Sequence, residues 1–390
     1  MAITFTIHGS SSENEARVGR IETPHGGFDT PAFMPVATAA AMKGLTVDHV
    51  RESRSQIILN NAYHLMLRPG SDRVARFGGS HEFMRWKGPI LTDSGGYQAF
   101  SMSDINSVNE HGVTFRSFID GAKIELTPER SIQVQNEIGA DIIMAFDDCP
   151  PTREEDCVNP EKKVRLKGMT YLERLEQSND RTARWLDRCV KAHARRSDQA
   201  LFGIVQGGTD ERLRQRSVEQ VCSHDLPGYA IGGVAVGEGP EQIHKTVAFT
   251  ARLLPQDRPR YLMGVGYERD IVRAVAAGVD MFDCVLPTRN GRKAYAFTRT
   301  GPIKLKNARF AEDQSPIDES CGCPTCRGGY SRGYLRHLFS AGEWLGQTLV
   351  SQHNLWHYQS LLLDIRQAIR DDCWSSLMDS WPVVRDDVMS

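Results

Sequence analysis

Several features of common protein classes are missing from the sequence. No run of about 18 apolar residues is present that could cross a bilayer, and Met1–His8 lacks the basic and apolar stretches of a targeting peptide. No GxGxxG or P-loop motif opens a strand-helix unit, which disfavours ATP- or dinucleotide-dependent chemistry. The net charge of −2 argues against a uniformly basic coat for nucleic acid but allows a local basic patch. We therefore expect a cytoplasmic protein with no membrane partner.

The apolar segments predict the fold. A chain of 390 residues with 40% apolar content can bury a large core, as one barrel or as two domains. Short apolar runs with polar or glycine-rich ends recur along it, separated by helix-like stretches such as Pro240–Leu254 and Arg269–Ala277. The eight runs are Pro35–Ala40, Gln56–Asn61, Pro89–Gly96, Asp141–Asp148, Leu201–Gly208, Tyr229–Val236, Arg260–Gly266 and Asp280–Leu286. Eight such units predict an α/β fold of the (β/α)8 TIM-like barrel type, with a doubly wound open sheet as the alternative.

Polar residues and glycines fall where the predicted strands end. In a barrel, Asp93, Asp147, Gln206, Gly233 and Asp283 would ring one mouth, where active sites normally lie. Each has a simpler interpretation: an Asp after a strand is often a helix N-cap, the glutamine a strand-end amide and the glycine a turn residue. Together they would suit a planar heterocycle that carries N–H and C=O groups.

A cysteine cluster predicts a metal site. Cys321, Cys323 and Cys326 stand within six residues, and His353 or His357 would complete a Cys3His zinc site, His353 being preferred. Such a coordination sphere is full, so we expect one structural zinc ion per chain and chemistry elsewhere. A redox pair or reduced buried thiols are the alternatives. We expect one catalytic domain over residues 1–390, with a zinc-binding subdomain at 300–357 within it.

Basic residues cluster after the last predicted strand and after the cysteines. Thr288–Lys293 contains three cations, and Arg327, Arg332 and Arg336 follow the cysteine cluster. These cations would lie beside the predicted mouth and could contact phosphates, or they could form an ordinary solvated surface.

The motifs together resemble tRNA-guanine transglycosylase of the bacterial type over nearly the whole chain. Beside the cysteine cluster, the matching motifs are Asp93–Phe100, Phe146–Cys149, Gly203–Gly208, Tyr229–Gly233, Met263–Gly266 and Asp280–Arg289. The resemblance implies a zinc-containing barrel that exchanges the wobble guanine of tRNA with a GUN anticodon for a 7-deazaguanine. It also implies a homodimer.

The resemblance assigns roles to residues. Asp283 would be the nucleophile that forms a covalent ribosyl intermediate, and Asp93 the proton acceptor and donor. The base would bind at Asp93, Ser94, Gly95, Gly96, Tyr97, Asp147, Gln206 and Gly233. RNA would contact Gly264, Val265, Gly266, Tyr267, Glu268, Arg269, Asp270, Thr288, Arg289, Asn290, Gly291 and Arg292.

The identity of the incoming base and the activity itself leave alternatives. Cys149 and Val236 resemble the bulkier lining of bacterial members, which favours 7-aminomethyl-7-deazaguanine over the larger queuine, although Gly264–Tyr267 and Arg184–Cys189 resemble eukaryotic members. A non-catalytic tRNA-binding paralogue and a zinc-stabilised glycoside or nucleoside hydrolase are the rival functions. The charged segment Arg153–Gln177 predicts an extended surface loop.

Overall fold

A computed structural model describes residues 2–102, 105–150 and 168–385. The strands in this part of the chain are β1 (Thr4–Ser10), β2 (Arg17–Thr23), β3 (Gly26–Thr30), β4 (Ala32–Pro35), β5 (Ile58–Asn60), β6 (Ile90–Thr92), β7 (Ile105–Val108), β8 (Val113–Arg116), β9 (Lys123–Leu126), β10 (Ile142–Met144), β11 (Ala200–Val205), β12 (Tyr229–Ile231), β13 (Arg260–Leu262), β14 (Met281–Cys284), β15 (Tyr295–Ala296) and β16 (Ile303–Lys304).

Helices surround and connect these strands. They are α1 (Val47–Glu52), α2 (Ala62–Leu67), α3 (Ser71–Arg76), α4 (Ser80–Met84), α5 (Gly96–Met102), α6 (Pro128–Ile138), α7 (Tyr171–Ala192), α8 (Glu211–Cys222), α9 (Pro240–Leu253), α10 (Glu268–Ala276), α11 (Leu286–Gly291), α12 (Pro324–Arg327), α13 (Arg332–Ala341), α14 (Trp344–Arg370) and α15 (Trp374–Ser380), with 3-10 turns at Ala308–Phe310 and Pro382–Val384. Of the charged segment 153–177, residues 153–167 lie outside the described residues, and α7 begins at Tyr171.

Eight parallel strands form the barrel. Their order is β4-β14-β13-β12-β11-β10-β6-β5, and a parallel bridge between Val36 and Leu59 joins the two edge strands. The Ala37 amide strengthens this closure by donating to the Leu59 carbonyl at 2.7 Å. The prediction of a (β/α)8 barrel is confirmed, and a closed barrel presents the carboxyl ends of all eight strands at one mouth.

The predicted strand positions hold for seven of the eight strands, and the first strand is shifted. It pairs with β14 from Ala32 to Pro35, whereas we expected Pro35–Ala40. Beyond Pro35 the chain pairs with β5, through Val36 and Ala37, and Ala40 already has a left-handed φ of 54°, so the extended chain ends before Ala40. The predicted helices Pro240–Leu254 and Arg269–Ala277 match α9 and α10 within one residue.

An N-terminal antiparallel sheet covers the end of the barrel opposite the mouth. Ile21 and Phe28, from β2 and β3, are fully buried in the cluster that fills the barrel interior. His25, in the turn between those strands, lies 2.7 Å from Asp141, the residue before β10. The amino ends of the strands are therefore closed, and the carboxyl ends are left for a ligand.

The cysteine cluster has a small hydrophobic core of its own. Cys323 and Cys326 pack in it with Leu335, Leu338 and Val350. Helix α14 ties this core to the barrel, since Gln359 donates to the Phe33 carbonyl at 3.0 Å. The division into a catalytic domain over 1–390 and a zinc-binding subdomain at 300–357 stays a prediction. Among the helices of the described residues, none is long and apolar enough to cross a membrane.

Candidate active site and metal centre

Three carboxylates meet at the mouth of the barrel. Asp93 follows β6 directly, Asp147 lies three residues after β10, and Asp283 belongs to β14. They are close enough to influence each other, because the charge of Asp283 acts on Asp93 and the charge of Asp93 acts on Asp147. The side chains that the sequence predicts at strand ends therefore share one site.

Asp93 is held by four hydrogen bonds. Oδ1 accepts from the amides of Ala62 at 2.9 Å and Gly95 at 3.2 Å, and Oδ2 accepts from the side-chain amides of Asn61 and, at 2.9 Å, Gln98. These donors come from the chain after β5, from the loop that follows Asp93 and from α5. They fix its orientation in a buried position.

The loop after Asp93 is packed closely against its neighbours at two positions, and both are glycine. Gly95 has a left-handed φ of 78°, and a Cβ there would lie 3.2 Å from the Tyr63 nitrogen. A Cβ on Gly96 would lie 3.2 Å from the Phe146 ring. Ser94 is buried and its Oγ accepts from the Gly96 amide at 3.3 Å, whereas Tyr97 is exposed. Tyr97 is therefore available at the rim of the site.

Asp147 and Gln206 form a pair on neighbouring strands. The Gln206 side-chain amide donates to Asp147 at 2.6 Å, and its backbone amide donates to the Ser217 hydroxyl at 2.9 Å. The side-chain oxygen of Gln206 is buried and has no partner within the described residues. Gly233 lies against this oxygen, where an added Cβ would come within 2.3 Å of it, and has φ of 62°. Only glycine fits at this position.

Asp283 accepts two hydrogen bonds from β13 and the loop that follows it. The Tyr261 hydroxyl donates to Oδ1 at 2.6 Å, and the Gly264 amide donates to the same oxygen at 2.9 Å. Both bonds from the described part of the chain end on Oδ1, so Oδ2 keeps its lone pairs for another partner. The side chain is partly exposed toward solvent.

Burial raises the pKa of all three carboxyls. The pKa of Asp93 is raised to about 6, chiefly by desolvation and further by Asp283, against the opposing effect of its amide donors. Desolvation, with Asp148 and Asp93, raises the pKa of Asp147 to about 7 despite the bond from Gln206. The pKa of Asp283 is also raised by burial, although the bonds from Tyr261 and Gly264 lower it. The pKa values of Asp93 and Asp147 are therefore raised toward neutral pH, which suits acid-base chemistry.

The cysteine cluster has the geometry of a tetrahedral zinc site. The sulfurs of Cys321, Cys323 and Cys326 lie 3.6, 3.4 and 3.4 Å from Nδ1 of His353. A zinc ion with ordinary bonds to sulfur and nitrogen separates two such ligands by about 3.6 Å. Nε2 of His353 lies 2.8 Å from the Phe297 carbonyl, the type of contact that orients a ligating imidazole. The residues present fit a structural zinc ion.

His357, the alternative ligand, has another partner. Its Nε2 lies 3.0 Å from the Glu268 carboxylate, at the start of α10. The preference for His353 as the fourth member of the cluster is confirmed by its position among the three sulfurs. His357 instead ties α14 to the loop after β13.

The two predicted RNA-contact segments flank the mouth. Gly264–Asp270 follows β13, and Thr288–Arg292 lies largely in α11, directly after β14. Tyr267 and Arg289 are exposed, which suits contact with a macromolecule. The other members of the two segments divide by exposure: Gly264 is exposed, Arg269, Asn290 and Arg292 are partly buried, and Val265, Gly266, Glu268, Asp270, Thr288 and Gly291 are buried. RNA contact by all of these residues stays a prediction.

Arg332, one of the other cations in the sequence prediction, is engaged within the protein. Arg332 lies 3.1 Å from the Asp313 carboxylate and stacks on Phe310. A structural role accounts for these contacts without RNA.

Sequence reasoning missed several groups that shape the site. Asn61 and Gln98 bind Asp93, Tyr261 binds Asp283, and Arg214 lies behind Gly233. Asn61 follows an apolar run, so its position at a strand end could have identified it as a residue of the site. Arg214 shares the buried face of α8 with Val218, four residues on, and an arginine on such a face is unusual.

The fold and the site define a class: a (β/α)8-barrel protein with a three-carboxylate mouth and a separate Cys3His cluster. The sequence model of the family described as queuine tRNA-ribosyltransferase matches residues 11–385. Proteins with that name from Cyanothece sp. and Thermus thermophilus are both 52% identical, over 97% and 94% of this chain and 95% and 91% of their own lengths. A Staphylococcus aureus protein of the same name is 47% identical over 95% of this chain and 93% of its own. The chain belongs to the queuine tRNA-ribosyltransferase family, as the motifs predicted.

Proposed function

We propose that this chain is a tRNA-guanine transglycosylase, a pentosyltransferase that exchanges a guanine of tRNA for a 7-deazaguanine in queuosine modification. One observation carries the proposal: Asp93, Asp147 and Asp283 share one barrel mouth in a chain of this family. Base exchange at a ribose needs a nucleophile, a proton donor and a group that recognises the base. The three carboxylates supply one of each.

Asp283 is the nucleophile in this proposal. Its carboxylate bonds to C1′ of the ribose as the bond from C1′ to the guanine nitrogen breaks, and the bonding electrons leave with the guanine. The donors on Oδ1, Tyr261 and Gly264, stabilise the ionised form and leave Oδ2 to attack. The second base then attacks C1′ and releases Asp283, so two displacements retain the configuration.

Asp93 carries the proton between the two bases. As a carboxyl with a pKa of about 6, it can protonate the departing guanine and then accept a proton from the incoming base. Its four hydrogen bonds hold it in place through both steps. A donor and acceptor with a pKa near the working pH serves both half-reactions.

Asp147, Gln206 and Gly233 recognise the base. The Asp147 carboxylate accepts from the N1–H and amino edge, while Gln206 and the Gly233 amide contact the carbonyl oxygen. The bond from Gln206 to Asp147 supports this assignment, because it brings the two side chains together. An adenine would leave these groups unpaired, at a cost of about 1 to 3 kcal/mol per lost contact.

The tRNA substrate, with a GUN anticodon, lies over the exposed residues beside the mouth. Arg289 and Tyr267 come from segments that follow neighbouring strands, so both lie at the same side of the mouth. The Arg289 guanidinium can bind a phosphate of the tRNA, and the Tyr267 ring can stack on a base. The target nucleotide must leave its stack for Asp283 to reach C1′.

The incoming base is 7-aminomethyl-7-deazaguanine rather than queuine in this proposal. Cys149 follows Asp147 by two residues and Val236 follows Gly233 by three, and both side chains are partly buried. Their bulk would exclude the larger cyclopentenediol group. Competition between the two bases, read as the mass of the base incorporated into tRNA, tests the assignment; preferential incorporation of queuine would overturn it.

A homodimer and a cytoplasmic location complete the proposal. Trp344 is 77% exposed, and Leu345 and Tyr334 are exposed as well, on helices that pack around the cysteine cluster. Such apolar side chains on one region suit a second copy of the chain. Sedimentation of the wild-type protein beside Trp344→Ala tests the dimer, and a wild-type monomer would contradict it.

The decisive test measures incorporation of radiolabelled guanine into tRNA beside hydrolysis of free nucleosides. We expect exchange into tRNA, and a protein-RNA adduct on a denaturing gel that Asp283→Ala abolishes and Asp257→Ala keeps. Asp257 is an exposed carboxylate paired with Arg258, so it is a matched control. Binding of tRNA without exchange would indicate a non-catalytic paralogue. Nucleoside turnover without tRNA would indicate a hydrolase.

A further inference from the structure

Arg214 is a fully buried cation surrounded by backbone carbonyls. It lies on α8 with 0% of its surface exposed. Its Nε donates to the Gly208 carbonyl at 2.7 Å, one terminal nitrogen to Gly232 at 2.7 Å and Val205 at 3.2 Å, and the other to Gly233 at 3.0 Å. These carbonyls belong to the chain at and just beyond the ends of β11 and β12.

Burying this guanidinium is costly. Among the described residues no carboxylate lies in ion-pair contact with it, and desolvation lowers its pKa to about 10, so it stays charged at neutral pH. The charge of Glu238 also favours the charged guanidinium, but its direct contacts are backbone carbonyls, and it holds their dipoles in fixed directions. The groups that it fixes include both carbonyls of the Gly232–Gly233 pair.

The conformation of the Gly232–Gly233 pair has to be stabilised by contacts with other residues. Neither residue has a side chain, and Gly233 has φ of 62°, so the segment has little conformational preference of its own. In a trans peptide the C=O and the following N–H point in opposite directions. Because the Gly232 carbonyl points to Arg214, the Gly233 N–H points away from it. Within the described residues this N–H has no hydrogen-bond acceptor, so it is available to a ligand.

We propose that Arg214 is a positioning residue for base recognition. Its guanidinium holds the Gly232–Gly233 peptide so that the Gly233 N–H is aimed at the carbonyl oxygen of the base, next to Gln206. This role deepens the proposed function and rests on it. Loss of the hydrogen bonds from the guanidinium should weaken recognition of the base carbonyl more than it lowers the rates of the chemical steps.

The experiment compares Arg214→Lys with Arg260→Lys in the guanine-exchange assay. Arg260 is the matched control because it is also buried, also has a pKa lowered to about 10 by burial, and donates to the Leu254 and Gly278 carbonyls at the closed end of the barrel. Lysine keeps the charge but cannot reach all of the carbonyls. We expect Arg214→Lys to raise the KM for guanine about 10-fold or more, with a smaller change in kcat, and Arg260→Lys to leave KM within about 2-fold.

A second measurement separates carbonyl recognition from general damage. 6-Thioguanine keeps the N1–H and amino groups but replaces the carbonyl oxygen with a weaker acceptor. The wild-type protein should prefer guanine, and Arg214→Lys should lose most of that preference while Arg260→Lys keeps it. An unchanged preference in Arg214→Lys would overturn the inference.

The remaining outcomes also decide the question. A wild-type protein that does not exchange guanine would refute the proposed function and this inference with it. Normal exchange by the wild-type protein, with equal KM values in the two variants, would refute the inference alone. If Arg214→Lys and Arg214→Gln both fail to fold while Arg260→Lys folds, Arg214 is structural and the inference is wrong.

Discussion

The hydroxyl of Tyr261 lies 2.6 Å from Oδ1 of Asp283, on the neighbouring strand of the barrel. Burial and the carboxylate raise the pKa of Tyr261 well above its usual value, so the hydroxyl keeps its proton and donates. The bond stabilises the ionised carboxylate that the proposed attack requires. A hydrogen bond to a charged group contributes about 1.5 to 3 kcal/mol, so loss of this contact should measurably lower the rate of exchange.

Tyr261→Phe should lower kcat for guanine exchange by about 10-fold to 100-fold, because Asp283 would keep only the Gly264 amide as a donor. Single-turnover rates of exchange measure the effect. Tyr229→Phe is the matched control: its hydroxyl accepts from the Leu226 amide at the opposite end of the next strand. Equal rates for the two variants would show that the Tyr261 hydroxyl does not support the nucleophile.

Asp147→Asn should stabilise the protein at high pH. The pKa of Asp147 is about 7 in the folded state and 3.8 when unperturbed. Its contribution to stability is fully present below the unfolded value of 3.8 and is lost as pH rises through about 7, because a buried negative charge then has to be maintained. Asparagine carries no charge at either pH, so its advantage over aspartate should grow from pH 5 to pH 8, by about 1 to 4 kcal/mol.

Urea unfolding at pH 5 and pH 8 measures this difference. Asp257→Asn provides the control, because Asp257 is exposed and its replacement should give little pH-dependent change. An equal effect of Asp147→Asn at the two pH values would contradict the raised pKa. The same variant should exchange guanine poorly, since an amide presents a donor as well as an acceptor to the base.

Arg289→Ala should weaken binding of tRNA without changing the chemistry. Arg289 is exposed on α11, directly after the strand that carries Asp283. Loss of one phosphate contact should raise the KM for tRNA and reduce the slope of log affinity against log salt by about 1. Arg76→Ala is the control, because Arg76 is an equally exposed helical arginine on α3, paired with Asp72. If the two variants show the same dependence of tRNA affinity on salt concentration, Arg289 does not contact the RNA.

The strand ends could be predicted from the sequence because their pattern is local. An apolar run followed by a polar residue is visible in the chain itself, which is why the sequence alone predicts Asp93, Asp147 and Gln206 at the mouth. Tyr261 and Arg214 could not be found in this way. Each has its role only because another strand or loop lies beside it, and neither stands at a strand end. Asn61 does stand at a strand end, but its acceptor lies 32 residues along the chain, so this contact could not be predicted locally.

Removal of the zinc ion should disturb residues 264–270, the predicted RNA-contact segment after β13, through α14. His353 belongs to the Cys3His cluster, and one turn later His357 contacts Glu268 at 3.0 Å while the Tyr358 hydroxyl donates to the Gly266 carbonyl. Cys323→Ser should therefore lose bound zinc and increase hydrogen exchange at residues 264–270, because the helix that supports this loop is no longer anchored. The KM for tRNA should rise accordingly.

Zinc content by mass spectrometry and hydrogen exchange of the same samples test this link. Cys373→Ser serves as the control, since Cys373 is exposed and lies outside the cluster. It should retain one zinc ion per chain and normal exchange at residues 264–270. If Cys323→Ser loses zinc but the loop exchanges as in the wild-type protein, the contacts of His357 and Tyr358 hold the loop without the metal. The zinc ion would then stabilise only the small core around the cysteines.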